Sequence, residues 1–333
     1  MFGFPGKSYK GPLPTLTESE QELSCKLSNH VWMLAGDIGA RSLTSAPDNL
    51  EKAAQYIEHV LKSYGYVPKA QEFTAETFVH RKQEPSGDDL KFPYAMEKIT
   101  HKTRNIIAEL PGDEAHKDCI IVGAHYDSVF DCPAANDNGS GVAALLEISR
   151  LLQAAQLKRT VRFVAFTNEE PPFFRTEQMG SHKYAQLCHQ NNDKVAAMIS
   201  LETIGFYTDE PNSQQFPHSI LRLLYPTTGN FVSFVSNLQS QSLLTKCISA
   251  FRQTTKFPSE GVALPAVVPG IDFSDHRPFW QLGYQAIMIT DTAHLRYPHY
   301  HEAEDTPEKI DYDKFALVVA GLTRMIGALS CGA

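Results

Sequence analysis

The stretch CIIVGAH, residues 119–125, decides the fold, because in it a continuous apolar run ends at an ionisable side chain. Runs of the same kind occur at four other places: RNIIAEL (104–110), VRFVAF (161–166), AAMISL (196–201) and QAIMIT (285–290). Short continuous apolar runs are typical of strands that are buried on both faces. The five runs therefore predict a largely parallel sheet that is covered by helices.

Helical patterns lie between and around these runs. GSGVAALLEISRLLQ (139–153) and MGSHKYAQLCHQ (179–190) follow the second and third runs, and PDNLEKAAQYIEHVLKSYGY (47–66) precedes them all. A long amphipathic helix, with Asp311 as its predicted cap, closes the chain. The alternation predicts an α/β fold: a three-layer sandwich with a mixed, mostly parallel central sheet and helices on both faces.

The region 206–271 is less regular than the rest, because six prolines interrupt it. We expect it to be an insertion packed over one edge of the sheet, with a little secondary structure in FVSFVSN (231–237) and SLLTKCISAFRQ (242–253). No composition change marks a domain boundary. The sequence therefore predicts a single catalytic domain over residues 1–333.

The composition excludes several classes of partner. No apolar run approaches the roughly 20 residues that span a bilayer, so no membrane association is expected. The net charge of −8 argues against a nucleic-acid partner, which would require a basic face. Six scattered cysteines and an N-terminus without an apolar signal core predict a cytoplasmic protein, with export of a trimmed form left open. None of these patterns assigns an oligomeric state.

Ionisable side chains stand where the predicted strands end. Ligands of open α/β sheets bind beyond the carboxyl ends of the strands, so these side chains are expected to share one rim. Carboxylates this close repel one another unless cations lie between them, and a pair of metal ions would supply that charge. The candidates are His125, Glu169, Glu170, Glu202 and Asp291 at strand ends, and Asp137 before a helix.

Glu169 and Glu170 are adjacent in AFTNEEPPFF (165–174), and two prolines follow them. Neighbouring residues at a strand end point in different directions, so one carboxylate can bind a metal ion while the other serves as a general base. Asp127 lies two residues beyond His125 and is therefore expected on the same side. It is predicted to accept a hydrogen bond from the second imidazole nitrogen of His125.

The segment DTAHLRYPHYHEAEDTPEKID (291–311) offers His294, His299 and His301 as further metal ligands, and spacing alone does not choose among them. The string that begins at His301 resembles the start of a helical HExxH zinc site. It carries Asp305 where the second histidine would stand, so that class of site is set aside.

Six motifs occur in an order that resembles one family: GAHYDS, NDNGSGVAALLE, FTNEE, SLETIGF, SDHRPFW and PHYHEAEDTPEKID. They are similar to the metallopeptidases of family 28, the co-catalytic zinc aminopeptidases of the aminopeptidase Y and leucyl aminopeptidase type. The resemblance extends from about residue 105 to the C-terminus. It implies a zinc-peptidase type of fold and two zinc ions, with peptides that have a free N-terminus as substrates.

The resemblance also implies a role for each site residue. His125 and Glu202 would bind the first zinc ion, Glu170 and His301 the second, and Asp137 would bridge both. Glu169 falls where the family has its general base, which would activate a hydroxide that bridges the metals. Many members have aspartate where this chain has Glu202, a ligand one methylene longer. Asp275, together with Asp127, is expected to support the site from behind the ligands.

Three other functions remain open at the level of sequence. Glutaminyl cyclases are similar in fold and share the paired glutamates, but they use one zinc ion to cyclise N-terminal glutamine. A metal-free binding module of the same fold would lack ligands, and none is missing here. Carboxypeptidase activity on acidic peptides would require an arginine cluster, for which Arg296 is the one candidate. Phe173, Phe174 and Tyr207 could line a substrate pocket.

Overall fold

Eight strands form one sheet in a computed structural model that describes residues 4–82, 94–113, 115–217 and 219–332. The order across the sheet is β1-β2-β4-β3-β5-β8-β6-β7. The strands are β1 (Lys69–Lys82), β2 (Tyr94–Leu110), β3 (Asp118–His125), β4 (Thr160–Phe166), β5 (Lys194–Glu202), β6 (Val232–Asn237), β7 (Ser259–Leu264) and β8 (Ala286–Thr290).

The centre of the sheet is parallel. β4, β3, β5 and β8 are consecutive neighbours that run in the same direction, and β6 is parallel to β7. Antiparallel pairing occurs between β1 and β2, between β2 and β4, and between β6 and β8. The prediction of a mixed, mostly parallel sheet is therefore confirmed, and the carboxyl ends of the four central strands meet at one edge.

Helices cover both faces of the sheet, as predicted. Alternate residues of β3 show the two layers, because Ile120 and Val122 pack into one apolar cluster and Cys119 and Ile121 into the other. The first cluster contains α1 (Glu18–Val31), α2 (Pro47–Ser63), α3 (Gly141–Leu152), α5 (Gln241–Thr254) and α7 (Tyr312–Ser330). The second contains α4 (Gly180–Gln190) and α6 (His276–Gln281). No helix of the described residues is long and apolar enough to cross a membrane.

The region 206–271 differs from the irregular insertion that its prolines predict. Its second half forms β6, α5 and β7, which extend the central sheet instead of lying over its edge. The prolines stand outside these three elements. Residues 206–217 and 219–231 contain only a short 3₁₀ turn, so the irregularity is confined to the part before β6. A single domain over 1–333 includes residues outside the described ranges and stays a prediction.

The strand β1 and the first half of β2 are not indicated by any apolar run. The described side chains of this part, 69–78 and 97–105, are mostly polar, and all but Ala75, Thr103 and Asn105 are partly or largely exposed. Only residues 106–110 of β2 pair with β4, and the rest of β2 pairs with β1 alone. Two-stranded pairing outside the core does not require a continuous apolar sequence. The RNIIAEL run is the part of β2 that lies within the covered sheet.

An extended N-terminal segment lies along β7, the edge strand at the other end of the sheet. The Arg252 guanidinium donates hydrogen bonds to the carbonyl oxygens of Pro5 and Gly6, at 3.3 and 3.2 Å. The backbone N–H of Ser259 donates to the Ser8 hydroxyl at 3.0 Å. A side chain in place of Gly261 would meet the ring of Phe4 at 2.9 Å. Residues 4–8 are therefore a strap that contacts β7 and the neighbouring helix α5.

A buried polar cluster joins α1, α2 and α3 far from the strand ends. The Glu147 carboxylate is fully buried and accepts hydrogen bonds from Tyr64 at 2.8 Å and from Arg150 at 2.7 and 2.9 Å, and His30 lies 3.3 Å away. Burial alone would raise the pKa of Glu147. The hydrogen bonds from His30, Arg150 and Tyr64 outweigh burial and lower the pKa to about 2.

We expect Glu147→Gln to lower the free energy of unfolding by about 1–3 kcal/mol at pH 7. Because the folded pKa lies below the ordinary value of 4.5, the stabilisation is fully present above that value and is lost as the pH falls toward about 2. Urea unfolding at several values between pH 7 and pH 3 measures the difference, which should shrink over the acid range. Glu22→Gln, which removes an exposed pair with Lys26, is the control and should change stability little. A difference that is constant with pH would contradict the expectation.

Candidate active site

Five predicted side chains meet at the carboxyl edge of the sheet. His125 and Glu202 are the last residues of β3 and β5, and Glu170 follows β4 by four residues. Asp137 lies in a short turn before α3, and His301 lies in the loop after β8. Four of these residues are buried and His301 is partly exposed, so the cluster opens to solvent on the side of His301.

Donor atoms of the five side chains form two groups that share Asp137. In the first group, His125 Nε2 lies 3.2 Å from Asp137 Oδ1 and 3.4 Å from Glu202 Oε2. In the second group, His301 Nε2 lies 3.1 Å from Asp137 Oδ2 and 3.3 Å from Glu170 Oε1. Each group of three has its ligand atoms within 4.8 Å of one another, which is close enough to hold a metal ion.

Glu169 stands beside the first group; with His125 and Glu170 it forms a third set of donor atoms within 4.8 Å of one another, which lacks Asp137. Its Oε2 is 4.0 Å from His125 Nε2, farther than the oxygens of Asp137 and Glu202. The side chain is 6% exposed. Burial and the neighbouring carboxylates Glu202 and Glu170 raise its pKa well above the ordinary value, although His125 opposes the shift. Burial therefore favours the protonated form of Glu169, so this carboxylate binds a proton more readily than an exposed glutamate does.

The carboxyl groups of Asp137, Glu170 and Glu202 repel one another when all three are ionised. Burial, followed by the charge of Asp137, raises the pKa of Glu170 to about 7. Burial also raises the pKa of Glu202 to about 7, with Asp137 adding to the shift and His125 opposing it. In Asp137 itself, hydrogen bonds from the two histidines outweigh burial and lower the pKa. Cations between these oxygens would remove the repulsion.

Asp127 contacts His125 and two other residues of the site. His125 Nδ1 lies 3.1 Å from the backbone carbonyl of Asp127 and 3.5 Å from its carboxylate, so the closer acceptor is the carbonyl oxygen. The carboxylate instead accepts the backbone N–H groups of Glu169 and Glu170, both at 3.1 Å. The chain turns after His125, which aims the carboxylate at the next loop. Asp127 thus holds the adjacent glutamates by their backbone.

Asp275 and His276 take different positions. Asp275 is fully buried, and burial raises its pKa to about 7, an effect that the charge of His125 opposes. Its expected place behind the ligands stays a prediction. His276 lies 2.6 Å from the carbonyl of Ile271 and contacts Trp280 edge to face, and burial lowers its pKa to about 4. His276 is therefore neutral and stabilises the loop that begins at Ile271.

Two features of the site have no signal in the sequence. The Ser274 hydroxyl donates to Glu202 Oε2 at 2.7 Å, and the Ser200 hydroxyl lies 2.9 Å from that of Ser274. Tyr300 stacks face to face on His301, with ring centroids 3.9 Å apart. His301 adopts a left-handed φ of 61°, a backbone conformation that is uncommon for a non-glycine residue and is seen at functional sites. Only the folded loops bring these side chains together.

Arg296 is not available to a substrate. Its guanidinium is buried and donates to Gln214 Oε1 and to the carbonyl of Phe231. Tyr207 is also buried, against Phe257. Arg296 therefore fastens the irregular segment before β6 and gives no support to binding of a substrate carboxylate.

The other predicted residues of the region lie outside the two groups. The ring of His294 packs near Tyr300 and that of His299 near Tyr297, with centroids 5.6 and 5.5 Å apart. Asp291 accepts a hydrogen bond from the side chain of Asn136. Phe173 is buried, and Phe174 contacts Phe273 edge to face.

The sequence match decides the family. Residues 105–325 match the sequence model described as Peptidase family M28. The chain belongs to peptidase family M28. The resemblance seen in the six motifs is thereby confirmed, and the M28 chain is a peptidase, a hydrolase that acts on peptide bonds.

Two relatives show how similar known proteins are to this chain, and over what part of their length. The "Uncharacterized protein YfbL" of Escherichia coli strain K12 is 35% identical over 299 residues, 85% of this chain and 88% of that protein. Aminopeptidase YwaD of Bacillus subtilis strain 168 is 43% identical over 226 residues, 66% of this chain and 43% of that enzyme. The part of YwaD that this chain matches is therefore less than half of the length of YwaD.

Solved structures show the same fold. The Bacillus subtilis protein BSAP, described as a zinc aminopeptidase, superposes with a TM-score of 0.66 at 18% identity, over 90% of the M28 chain and 94% of BSAP. The glutaminyl cyclase of Porphyromonas gingivalis gives a TM-score of 0.62 at 20% identity, over 92% and 98% of the two chains. At these identities the likeness concerns the fold, which both activities share.

Proposed function

We propose that this M28 peptidase is a zinc-dependent aminopeptidase that removes the N-terminal residue of a peptide. His125, Asp137 and Glu202 would hold one zinc ion, and Asp137, Glu170 and His301 a second. Glu169 would be the general base. The observation that carries the proposal is the pair of three-residue groups that share the two oxygens of Asp137.

The distances within the groups suit zinc. Two ligands of a tetrahedral zinc ion, each about 2.1 Å from the metal, lie about 3.4 Å apart. The closest pairs of donor atoms in both groups lie between 3.1 and 3.4 Å apart. Imidazole nitrogen and carboxylate oxygen are the donor types that catalytic zinc sites use.

Unpartnered polar atoms also support a pair of cations. His125 Nε2, Asp137 Oδ1 and Glu170 Oε1 are buried and have no hydrogen-bond partner among the described residues. Buried polar atoms are usually paired. Seven other buried side-chain atoms of the described residues are also unpaired, but these three are the ones that lie together in the two groups. A metal-free binding module would leave these buried atoms without a partner, and the free energy lost by burying them would not be offset. Bound zinc would act as a Lewis acid toward the scissile carbonyl and would lower the pKa of water.

Glu169 can move the proton that hydrolysis requires. With zinc held by the two groups that share Asp137, the Glu169 carboxylate would keep a free lone pair, because it belongs to neither of them. Its backbone N–H is held by Asp127, which limits the directions in which the side chain can point. The raised pKa lets the carboxylate accept a proton from water and return it to the leaving amine.

The negative charge of the site would attract the positively charged amino end of a peptide. The cluster combines four carboxylates, Asp137, Glu169, Glu170 and Glu202, with a chain of net charge −8, and a positively charged α-amino group is attracted to such a surface. The 43% identical relative YwaD is named an aminopeptidase, which supports the same end of the peptide. Arg296 is engaged elsewhere, so the site offers less to a substrate carboxylate.

The test combines metal content with matched substrates. We expect about two zinc ions per chain by elemental analysis, cleavage of aminoacyl p-nitroanilides, and no cleavage of the same compounds after N-acetylation. A glutaminyl peptide is the third substrate. Release of ammonia without chain shortening, or equal cleavage of the acetylated compounds, would contradict the aminopeptidase assignment.

A further inference from the structure

The loop from Tyr126 to Asp137 decides where the two groups meet. It starts directly after His125, and Asp137 at its end supplies one oxygen to each group. Asp137 has non-helical dihedral angles and Ala134 has a left-handed φ of 57°, so regular secondary structure does not hold this segment. Its position must come from side chains that contact its backbone.

Arg41 holds the first part of the loop. Its side chain is fully buried and donates from Nε to the carbonyl of Tyr126 at 2.8 Å, from Nη1 to that of Pro133 at 2.5 Å and from Nη2 to that of Ala134 at 2.8 Å. The planar guanidinium has donors in fixed directions and stays charged when buried. It therefore fixes both ends of the 126–134 segment at once.

Asp305 holds the second part. Its carboxylate accepts the backbone N–H of Asn136 at 2.8 Å and of Asp137 at 3.1 Å, and its carbonyl oxygen accepts the N–H of Ala135 at 3.1 Å. The Tyr297 hydroxyl donates to the same carboxylate at 2.7 Å. The side chain is fully buried. Three successive amide groups before α3 are thus bound to one residue.

We propose that Arg41 and Asp305 are positioning residues that together set the distance between the two metal groups. Arg41 binds carbonyl oxygens on one side of the loop, and Asp305 binds amide groups on the other. The inference rests on the proposed function. It assigns a role in the metal centre to two residues that contact neither the substrate nor the five donor atoms.

Asp305 also links two of the three ligands of the second group, Asp137 and His301. It lies four residues after His301 and binds the N–H of Asp137, so a displacement of Asp305 moves both ligands. Arg41 instead acts on the loop between His125 and Asp137, the two residues whose donor atoms are closest in the first group. A change at Asp305 should therefore weaken the second ion more than the first, and a change at Arg41 should weaken both.

Zinc affinity is the quantity to measure, by competition with a chromogenic chelator for the first and the second ion separately. The variants are Arg41→Lys and Asp305→Asn in the full chain. Outer residues that orient metal ligands typically contribute about 10–100-fold in affinity, and we expect losses of that size, confined mainly to one ion in Asp305→Asn. Zinc affinity is a readout that does not depend on turnover.

Controls separate this effect from a general loss of stability. Arg296→Lys changes another buried arginine that binds a carbonyl, that of Phe231, and should lower stability without changing zinc affinity. If Asp305→Asn fails to fold, Tyr297→Phe removes one hydrogen bond to Asp305 and should weaken the second ion in the same direction. Unchanged affinity for both ions in the folded variants would overturn the inference. A wild-type chain that binds no zinc would instead refute the proposed function.

Discussion

Glu169→Gln is expected to reduce kcat by about 10²–10⁴-fold, the usual contribution of a positioned general base. Glutamine has nearly the same shape and keeps the backbone N–H that Asp127 binds, but its amide cannot accept the proton. Because Glu169 lies outside the two groups that share Asp137, the zinc content should stay at about two ions per chain. Initial rates on an aminoacyl p-nitroanilide and elemental analysis of the same preparation measure both quantities.

The adjacent glutamate provides the matched control for this change. Glu170→Gln alters the neighbouring carboxylate, whose Oε1 lies 3.3 Å from His301 Nε2. It should lower the zinc content, and added zinc should restore part of the activity. If instead Glu169→Gln lost the metal and Glu170→Gln kept it, the roles of the two residues would have to be exchanged.

Asp137→Asn is expected to have the broadest effect, because Asp137 offers one oxygen to each group. Asparagine keeps one oxygen but removes the negative charge, and its nitrogen cannot bind a cation. Changes in outer residues alone cost about 10–100-fold in metal affinity, so we expect zinc affinity to fall by at least about 100-fold. Peptidase activity should fall with it. Equilibrium dialysis against buffered zinc gives the affinity of each site.

Asp272→Asn is the control for the loss of one buried carboxylate. Asp272 pairs with Arg175 and Arg277 and belongs to neither group. It should reduce stability and leave two zinc ions bound. An Asp137→Asn chain that still bound two ions with wild-type affinity would contradict the shared position of this residue.

The gathering of the five site residues could be predicted, and the reason is topological. His125 and Glu202 end neighbouring parallel strands, and Glu169 and Glu170 follow a third, so apolar runs that end in ionisable residues are sufficient to indicate a common edge. The assignment of His301, in preference to His294 and His299, depended on the family motif. The spacing of the three histidines along the chain does not indicate which of them the loop directs toward the site.

The contacts that hold the site could not be predicted in the same way. The carboxylates of Asp127 and Asp305 bind backbone amides of distant loops, and Arg41 binds carbonyl oxygens more than eighty residues away. Every residue offers the same backbone groups, so no residue type marks the partner. The Asp127 carboxylate does lie 3.5 Å from His125 Nδ1, as expected from the spacing, but the local turn brings the Asp127 carbonyl oxygen closer, to 3.1 Å.

The strap over β7 has a consequence for how the chain behaves in concentrated solution. An exposed edge strand presents a row of free amide and carbonyl groups on which another molecule can grow, a common start of aggregation. Here the backbone N–H of Ser259 in β7 donates to Ser8, and Arg252 of the neighbouring helix α5 donates to the carbonyl oxygens of Pro5 and Gly6. We therefore expect removal of residues 4–8, which lie remote from the candidate active site, to make the protein more prone to aggregate at high concentration.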